Sequence, residues 1–406
     1  MKRVALIGNS TALPGEKGYT RFCYLANFLA THGFDVEMIT STFQHWEKKQ
    51  RDISKVSDIE STYKITCIYE PGYKKNVDIR RINSHKVFSK NLAEYLKTQN
   101  YDLIYCVIPP NNMGKEAALY AKAKNIPFVI DVEDLWPEAM KMVLDIPVIS
   151  SLAFAGVAKD AREIYLSADA VVGSSDEYRD RPLKDNPDIK EHITVYVGNE
   201  IDKFDEGIHK YEDMIEKAQD DFWVTYAGNL GTSYDIKTLI LASAQLKRRG
   251  YSNIRIMILG GGPLEEEFKQ TARDCDCNVS FEGYIEYPKM AAYLSKSDIL
   301  VNSFVKKAPQ SIVTKIGDYL AAGKPMINTC MSPEFRGKVD NDGFGINVEP
   351  EDPAVLADAI EYLYKNPNLC IDMGAKARNI AKTQFDRKES NKRIVELLER
   401  LLEKDV

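Results

Sequence analysis

Lys315 and Asp318 stand three residues apart in QSIVTKIGDYLAAGKP, residues 310–325, a helix-like run whose other polar members are mostly neutral or acidic. The pattern starts a helix near Ser311, Ile312 and Val313, where unpaired backbone N–H groups and the Lys315 ammonium together suit a pyrophosphate. Asp318, near the same face, can accept hydrogen bonds from a ribose diol. The plainer alternative is an exposed helix lysine paired with Asp318. Gly323 caps the run and Pro325 prevents its continuation, which accounts for its sharp end.

Glycine-bearing loops supply the other candidates. GNSTALPGEKGYT places Gly18 ahead of a helix, but it matches neither G-x-G-x-x-G nor a Walker loop, so it either turns the chain or meets a phosphate or sugar near Gly18. AGNLGTS, with Gly228 and Asn229, and LGGGP, with Gly261, each follow an apolar run, where glycine permits close approach of a bound group or merely a tight turn. FEGYIE sets Gly283 and Tyr284 where a flat base can bond to main-chain groups. Together these loops line one rim of one sheet, where a nucleotide would lie.

The elements that must hold these residues alternate. RVALIGNS, DVEMITS, KITCIYE, YDLIYCVIP, PFVIDVED and ADAVVGSS read as short apolar strands separated by amphipathic helices, which predicts a parallel sheet covered on both faces. HITVYVGNEIDKF ends this series, and the polar DEGIHKYEDMIEKAQDD after it lacks an apolar face wide enough for a core helix. The pattern then restarts at FWVTYAGNLG and runs through IRIMILGGGP, NVSFEGYI, DILVNSF, PMINT and GINVEP. The expected fold is α/β, two doubly wound Rossmann-like domains facing across a cleft that takes the ligand. Their expected bounds are 1–200 and 201–382, with a charged amphipathic helix over 383–406 that packs on the outside of a domain, the first being a candidate.

The 406 residues are too many for one ordinary core, and a net charge of −6 argues against a nucleic-acid partner, which needs clustered Lys and Arg. Seven irregularly spaced cysteines read as reduced thiols of a cytoplasmic protein, and the Cys275, Cys277 pair lacks the further ligands of a metal site. Asp274 to Asp276 and Asp340 to Asp342 read as solvated loops, so no metal is expected. The opening KRVALIG reads directly as a strand, which speaks against export, and no apolar run approaches the roughly 20 residues that span a bilayer. Lys74, Lys75, Arg80 and Arg81 in GYKKNVDIRR read either as a solvated loop or as a contact for anionic lipid.

DLWPEA, YAGNLG, FEGYI and TKIGDYLAAGKPMI, in this order, with VGNEIDKF before the second domain, resemble a family-four glycosyltransferase of the GT-B fold, in the branch that builds bacterial surface and capsular polysaccharides. The resemblance covers nearly the whole chain. It implies a nucleotide-sugar donor, UDP- or GDP-linked, held mainly by the second domain, an acceptor held mainly by the first, and transfer of a hexosyl or N-acetylhexosaminyl group with retention. No cofactor beyond this co-substrate is implied. The family's usual basic pair falls on Asn229 and Tyr234, and Lys315 stands where this branch supplies a replacement. Its pair of glutamates falls on Gln310 and Asp318; a neutral amide at 310 can hydrogen-bond a sugar but cannot serve as a carboxylate nucleophile.

The expected mechanism follows. Lys315 and helix N–H groups hold the charge gathering on the leaving diphosphate, and the acceptor attacks from the same face. Glu133 and Asp134 are candidates to orient or deprotonate it, or else cap a helix or face solvent ahead of Trp136. Acceptors of this branch are expected to be lipid-linked glycans at the inner membrane face, with at most peripheral contact. Two other readings stay open: a nucleotide-sugar 2-epimerase, which needs no acceptor, and a non-catalytic nucleotide-sugar binder or partner subunit.

Overall fold

The computed structural model describes residues 1–16, 18, 20–76, 78–143, 154–308 and 312–403. They form two compact units, Met1–Val195 with Asn391–Val406, and Tyr196–Ser390.

The first unit is built on β1 (Lys2–Ile7), β2 (Phe34–Ser41), a hairpin of β3 (Phe43–Gln44) and β4 (Lys49–Gln50), β5 (Lys64–Ile68), β6 (Leu103–Ile108), β7 (Phe128–Val132), β8 (Ala170–Gly173) and β9 (Glu191–Thr194). Seven of these make a parallel sheet in the order β5-β2-β1-β6-β7-β8-β9. Successive side chains of a strand leave opposite faces. On β1, Ala5 and Ile7 enter one apolar cluster, Val4 and Leu6 the other, and β6 divides in the same way. Both faces are therefore cores, which is why the strands read as unbroken apolar runs. Ile394, Leu397, Leu398 and Leu401 of the final helix recur at helical spacing and are buried in the cluster of Val4 and Leu6.

The second unit carries β10 (Phe222–Ala227), β11 (Ile254–Leu259), β12 (Val279–Gly283), β13 (Ile299–Asn302), β14 (Met326–Asn328) and β15 (Gly345–Asn347), all parallel, in the order β12-β11-β10-β13-β14-β15. In each sheet the winding reverses once, beside β1 and beside β10, and the carboxyl ends of the strands at such a reversal leave a crevice that helices do not fill.

Three local expectations are corrected. Residues Ile201–Tyr211 form a helix despite their polarity. Its narrow face of Ile201 and Phe204 suffices because Gly207 has no side chain: a Cβ there would lie 2.7 Å from the Pro288 carbonyl oxygen. Asp340 to Asp342 are the last turn of helix Pro333–Asp342, not a loop, with Asp342 2.8 Å from Lys338 Nζ. Asp274 likewise ends helix Glu265–Asp274, and Asp276 pairs with Lys247. Among the described residues no helix is long and apolar enough to cross a membrane.

Candidate functional site

The loops leaving β10, β11 and β12 lock onto one another through their main chains. Gly228 N–H donates to the Leu259 carbonyl at 2.9 Å, Gly260 N–H to that of Gly283 at 2.7 Å, and Leu230 N–H to that of Gly261 at 3.0 Å. Gly260 has φ +127°, and a Cβ on it would lie 1.9 Å from the Gly228 carbonyl oxygen. The glycines are thus demanded first by the loops' own packing. Asn229 is exposed, its carbonyl held by the Tyr226 hydroxyl at 2.8 Å, and Tyr284 is 84% exposed.

Lys315 opens the seven-residue helix Lys315–Ala321, beside the β10 and β13 ends. Ile312 and Val313 lie ahead of this helix rather than in its first turn. Both pack against the apolar cluster of Phe304 and Ile316, and Thr314 is the N-cap, with helical dihedrals. Gln310 and Ser311 fall outside the described residues. At the other end Gly323 has φ +65° and donates its N–H to Leu320 at 3.1 Å, stopping the helix as its sequence predicts.

The Lys315 side chain is neither exposed nor paired with Asp318. Its Nζ is shielded from solvent and among the described residues meets no hydrogen-bond acceptor. Four rings surround it, with centroids at 4.3 Å for Tyr226, 4.6 Å for Tyr234, 5.1 Å for Phe304 and 5.8 Å for Tyr319. Their faces attract a cation, whereas burial opposes one, and burial prevails: the amine is pushed down to about 7. The Tyr319 hydroxyl is tied to Ala227, accepting its N–H at 2.7 Å, so this wall of the cage is fixed to β10. Tyr234, which stands where the resemblance places a lysine, faces Lys315 as an aromatic wall.

Asp318 turns elsewhere. Its Oδ1 accepts from Asn199 Nδ2 at 3.0 Å and from the Tyr287 hydroxyl at 2.8 Å. Burial pushes the carboxyl up to about 6 even though both bonds favour its charged form. Asn199 is itself pinned by main-chain bonds of 2.9 Å to Phe385 and Arg387. The sequence reading missed Asn199, Tyr226, Tyr287 and Phe304 as partners. Asn199 and Tyr226 lay within the quoted blocks VGNEIDKF and YAGNLG, which was the available signal.

In the first unit, Glu133 and Asp134 follow β7. Arg21 bridges Asp131 at 3.0 Å and Glu133 at 2.8 Å, and the Tyr105 hydroxyl donates to Asp131 at 2.5 Å. Glu133 is thus a member of a buried charge cluster. Asp134 accepts from its neighbour's N–H, Leu135, at 2.9 Å and from Trp136 Nε1 at 3.1 Å, and burial raises its pKa. Neither side chain is freely exposed. Gly18 lies against the Trp46 indole, where a Cβ would come within 2.2 Å of Cδ1.

Residues 221–366 match the family described as Glycosyl transferases group 1. An uncharacterized glycosyltransferase of Methanocaldococcus jannaschii is 27% identical over 242 residues, 59% of this chain, and the match spans only 60% of that relative's length. Sucrose-phosphate synthase from Thermosynechococcus elongatus is similar in structure over the full length of both chains, with TM-score 0.72 and 18% identity. HepE of Anabaena, in complex with UDP, covers 98% of this chain and all of its own, with TM-score 0.68 and 15% identity. At these identities the structural likeness speaks to the fold, two Rossmann-like parallel-sheet domains shared with glycosyltransferases of GT-B type. The matched stretch lies within the second unit and includes Lys315 and Asp318.

Proposed function

We propose that the protein is a retaining glycosyltransferase that moves a hexosyl or N-acetylhexosaminyl group from a UDP- or GDP-linked donor to a glycan acceptor. The observation that carries this reading is Lys315, an amine with no acceptor among the described residues, shielded from water at the chain reversal beside β10 and inside the stretch that matches the family. A donor diphosphate supplies the missing anion. As the glycosidic bond to phosphate breaks, charge gathers on the leaving oxygen, and an ammonium already stripped of water stabilises it more than a hydrated one does. Asp318, with Asn199 and Tyr287, holds the ribose.

The acceptor belongs to the first unit, where Asp134, whose pKa is raised by burial, is better suited to taking up a hydroxyl proton than Glu133, which is committed to Arg21. The departing phosphate oxygen is the alternative proton acceptor. The activity needs no metal, and its setting is surface-polysaccharide assembly on a lipid-linked glycan at the inner membrane face. Thermal denaturation with a panel of nucleotide sugars, followed by transfer assays from the stabilising donor, tests the reading. Stabilisation with transfer that survives a chelator is expected. Conversion of donor alone to an epimer would replace it with the epimerase reading.

A further inference from the structure

The first unit gathers a second set of polar groups on the rim formed by the carboxyl ends of β1, β2, β5 and β7. The turn of the β3, β4 hairpin brings His45 and Lys48, the segment after β5 brings Tyr73, and helix Ile79–Lys97 brings Arg81 and His85. Trp136 follows β7. Their rings form a continuous run, with centroids 5.8 Å apart from His45 to Tyr73, 5.8 Å from Tyr73 to His85 and 6.0 Å from His85 to Trp136.

Two cations lie on this run. Lys48 Nζ is 5.0 Å from the Tyr73 centroid, and the Arg81 guanidinium is 5.5 Å from Tyr73 and 5.1 Å from Trp136. Among the described residues no carboxylate lies within ion-pair distance of either. The nearby acid Glu70 is already occupied, accepting from Asn9 Nδ2 and Ser84 Oγ at 2.7 Å each.

Two shielded nitrogens in the cluster are also left over. His85 is only 4% exposed, and among the described residues its Nε2 has no hydrogen-bond partner, lying 4.0 Å from Glu70. Arg81 Nη1 reaches the Asn76 carbonyl at 3.0 Å and the side chain also meets Tyr73, but among the described residues its shielded Nε has no acceptor. Burial and the neighbouring cations push His45 down to about 4 and His85 to about 3, so both rings are neutral at pH 7 and the positive charge belongs to Lys48 and Arg81. A shielded, unmatched guanidinium donor is costly, and an anion relieves that cost. Lys74, Lys75 and Arg80 are exposed, whereas Arg81 is drawn into the cluster, which separates it from the rest of that basic run.

We propose that Lys48 and Arg81, seated on the rings of Tyr73 and Trp136, bind with the neighbouring His85 an anionic saccharide whose sugar ring carries a phosphate or a carboxylate. The inference rests on the reading that the first unit holds the acceptor, and it names that acceptor as an acidic or phosphorylated glycan. The charged group lies between Lys48 and Arg81, which rest on the Tyr73 and Trp136 rings, and the sugar ring extends from it toward solvent.

Calorimetric titration of the full chain with glucose 6-phosphate, glucuronic acid and glucose tests this. At least one charged sugar should bind about tenfold or more tightly than glucose, and the two charged probes tell phosphate from carboxylate. Arg81→Gln and Lys48→Gln should each weaken that binding about tenfold, whereas Lys315→Met should leave it unchanged. Should a variant fail to fold, the wild-type affinity for the charged sugar must still fall with added salt. Equal binding of glucose, loss in Lys315→Met alone, or binding of phosphatidylglycerol vesicles in place of the sugars would overturn the proposal. A chain that binds the charged sugar yet is stabilised by no nucleotide sugar would sink the transferase reading and leave this site standing.

Discussion

Lys315 and Asp318 share one short helix three residues apart and do not bond to each other: the amine points among four rings, and the carboxylate meets Asn199 and Tyr287. On an exposed helix such a spacing favours an ion pair. Here burial drives each group toward its neutral form, the lysine down to about 7 and the aspartate up to about 6. Both therefore titrate close to neutrality.

Lys315→Met should stabilise the ligand-free protein and cripple it as a catalyst. The folded pKa, about 7, lies below the ordinary 10.5, so between these values the unfolded chain holds the extra proton and stability at this position rises with pH. The gain in melting temperature should be largest at and below about pH 7 and fade toward pH 10. Turnover should fall about 100-fold or more, the usual loss when one stabiliser of transition-state charge is removed. Wild-type turnover in this variant would sink the clamp.

Donor binding should weaken as pH rises above about 7. On the proposed reading a bound diphosphate restores the Lys315 charge, so binding above that pH should take up a proton, and affinity should fall by as much as about tenfold per pH unit. Titration in two buffers of different ionisation enthalpy counts that proton. Lys315→Arg, charged throughout, should flatten the profile.

Asp318→Asn keeps an oxygen for both of its donors, whereas Asp318→Ala leaves Asn199 and Tyr287 without an acceptor. The alanine variant should lose about 1–3 kcal/mol in chemical denaturation. Because the folded pKa is raised, wild-type stability at this position is present below the ordinary 3.8 and lost as pH rises through about 6. The asparagine variant should therefore gain on wild type at about pH 8 and match it at about pH 4.

Gly260→Ala should be far worse than Gly33→Ala. Both glycines have positive φ, +127° and +93°, but only at Gly260 would the new carbon collide with main chain. Strain alone costs on the order of 1 kcal/mol at Gly33, and displacement of the interlocked loops should raise the loss at Gly260 to about 3 kcal/mol or more. Denaturant midpoints compare the two.

Arg21→Met should cost about 3–5 kcal/mol, because it leaves Asp131 and Glu133 buried without their cation. Glu133→Gln, which removes one acid and keeps its shape, should cost less. If Glu133 instead served directly as the base, its glutamine variant would lose turnover about 100-fold or more while melting normally.

The sheets were legible because burial on both faces writes itself as runs of Val, Ile and Leu, and the stop at Gly323 and Pro325 because turn chemistry is local. Lys315 could be singled out by its setting, but not its cage, whose walls come from β10, the loop after it and the segment after β13. Each of those rings alone reads as core. Asn199 meets Asp318 across 119 residues, a contact that no local pattern encodes. Ile201–Tyr211 was misread for the same reason, since its narrow apolar face works only where Gly207 meets Pro288.

The apolar face of the last helix, Ile394 through Leu401, completes a core that begins at Val4. In chain order the second unit is thus an insertion within the first. During synthesis Tyr196–Ser390 emerges as one continuous piece, whereas one flank of the first sheet, covered in part by helix Arg21–Thr31, is completed only by residues made almost 400 positions after its first strand. A ribosome stalled before Asn391 would release a finished second unit attached to an unfinished first one.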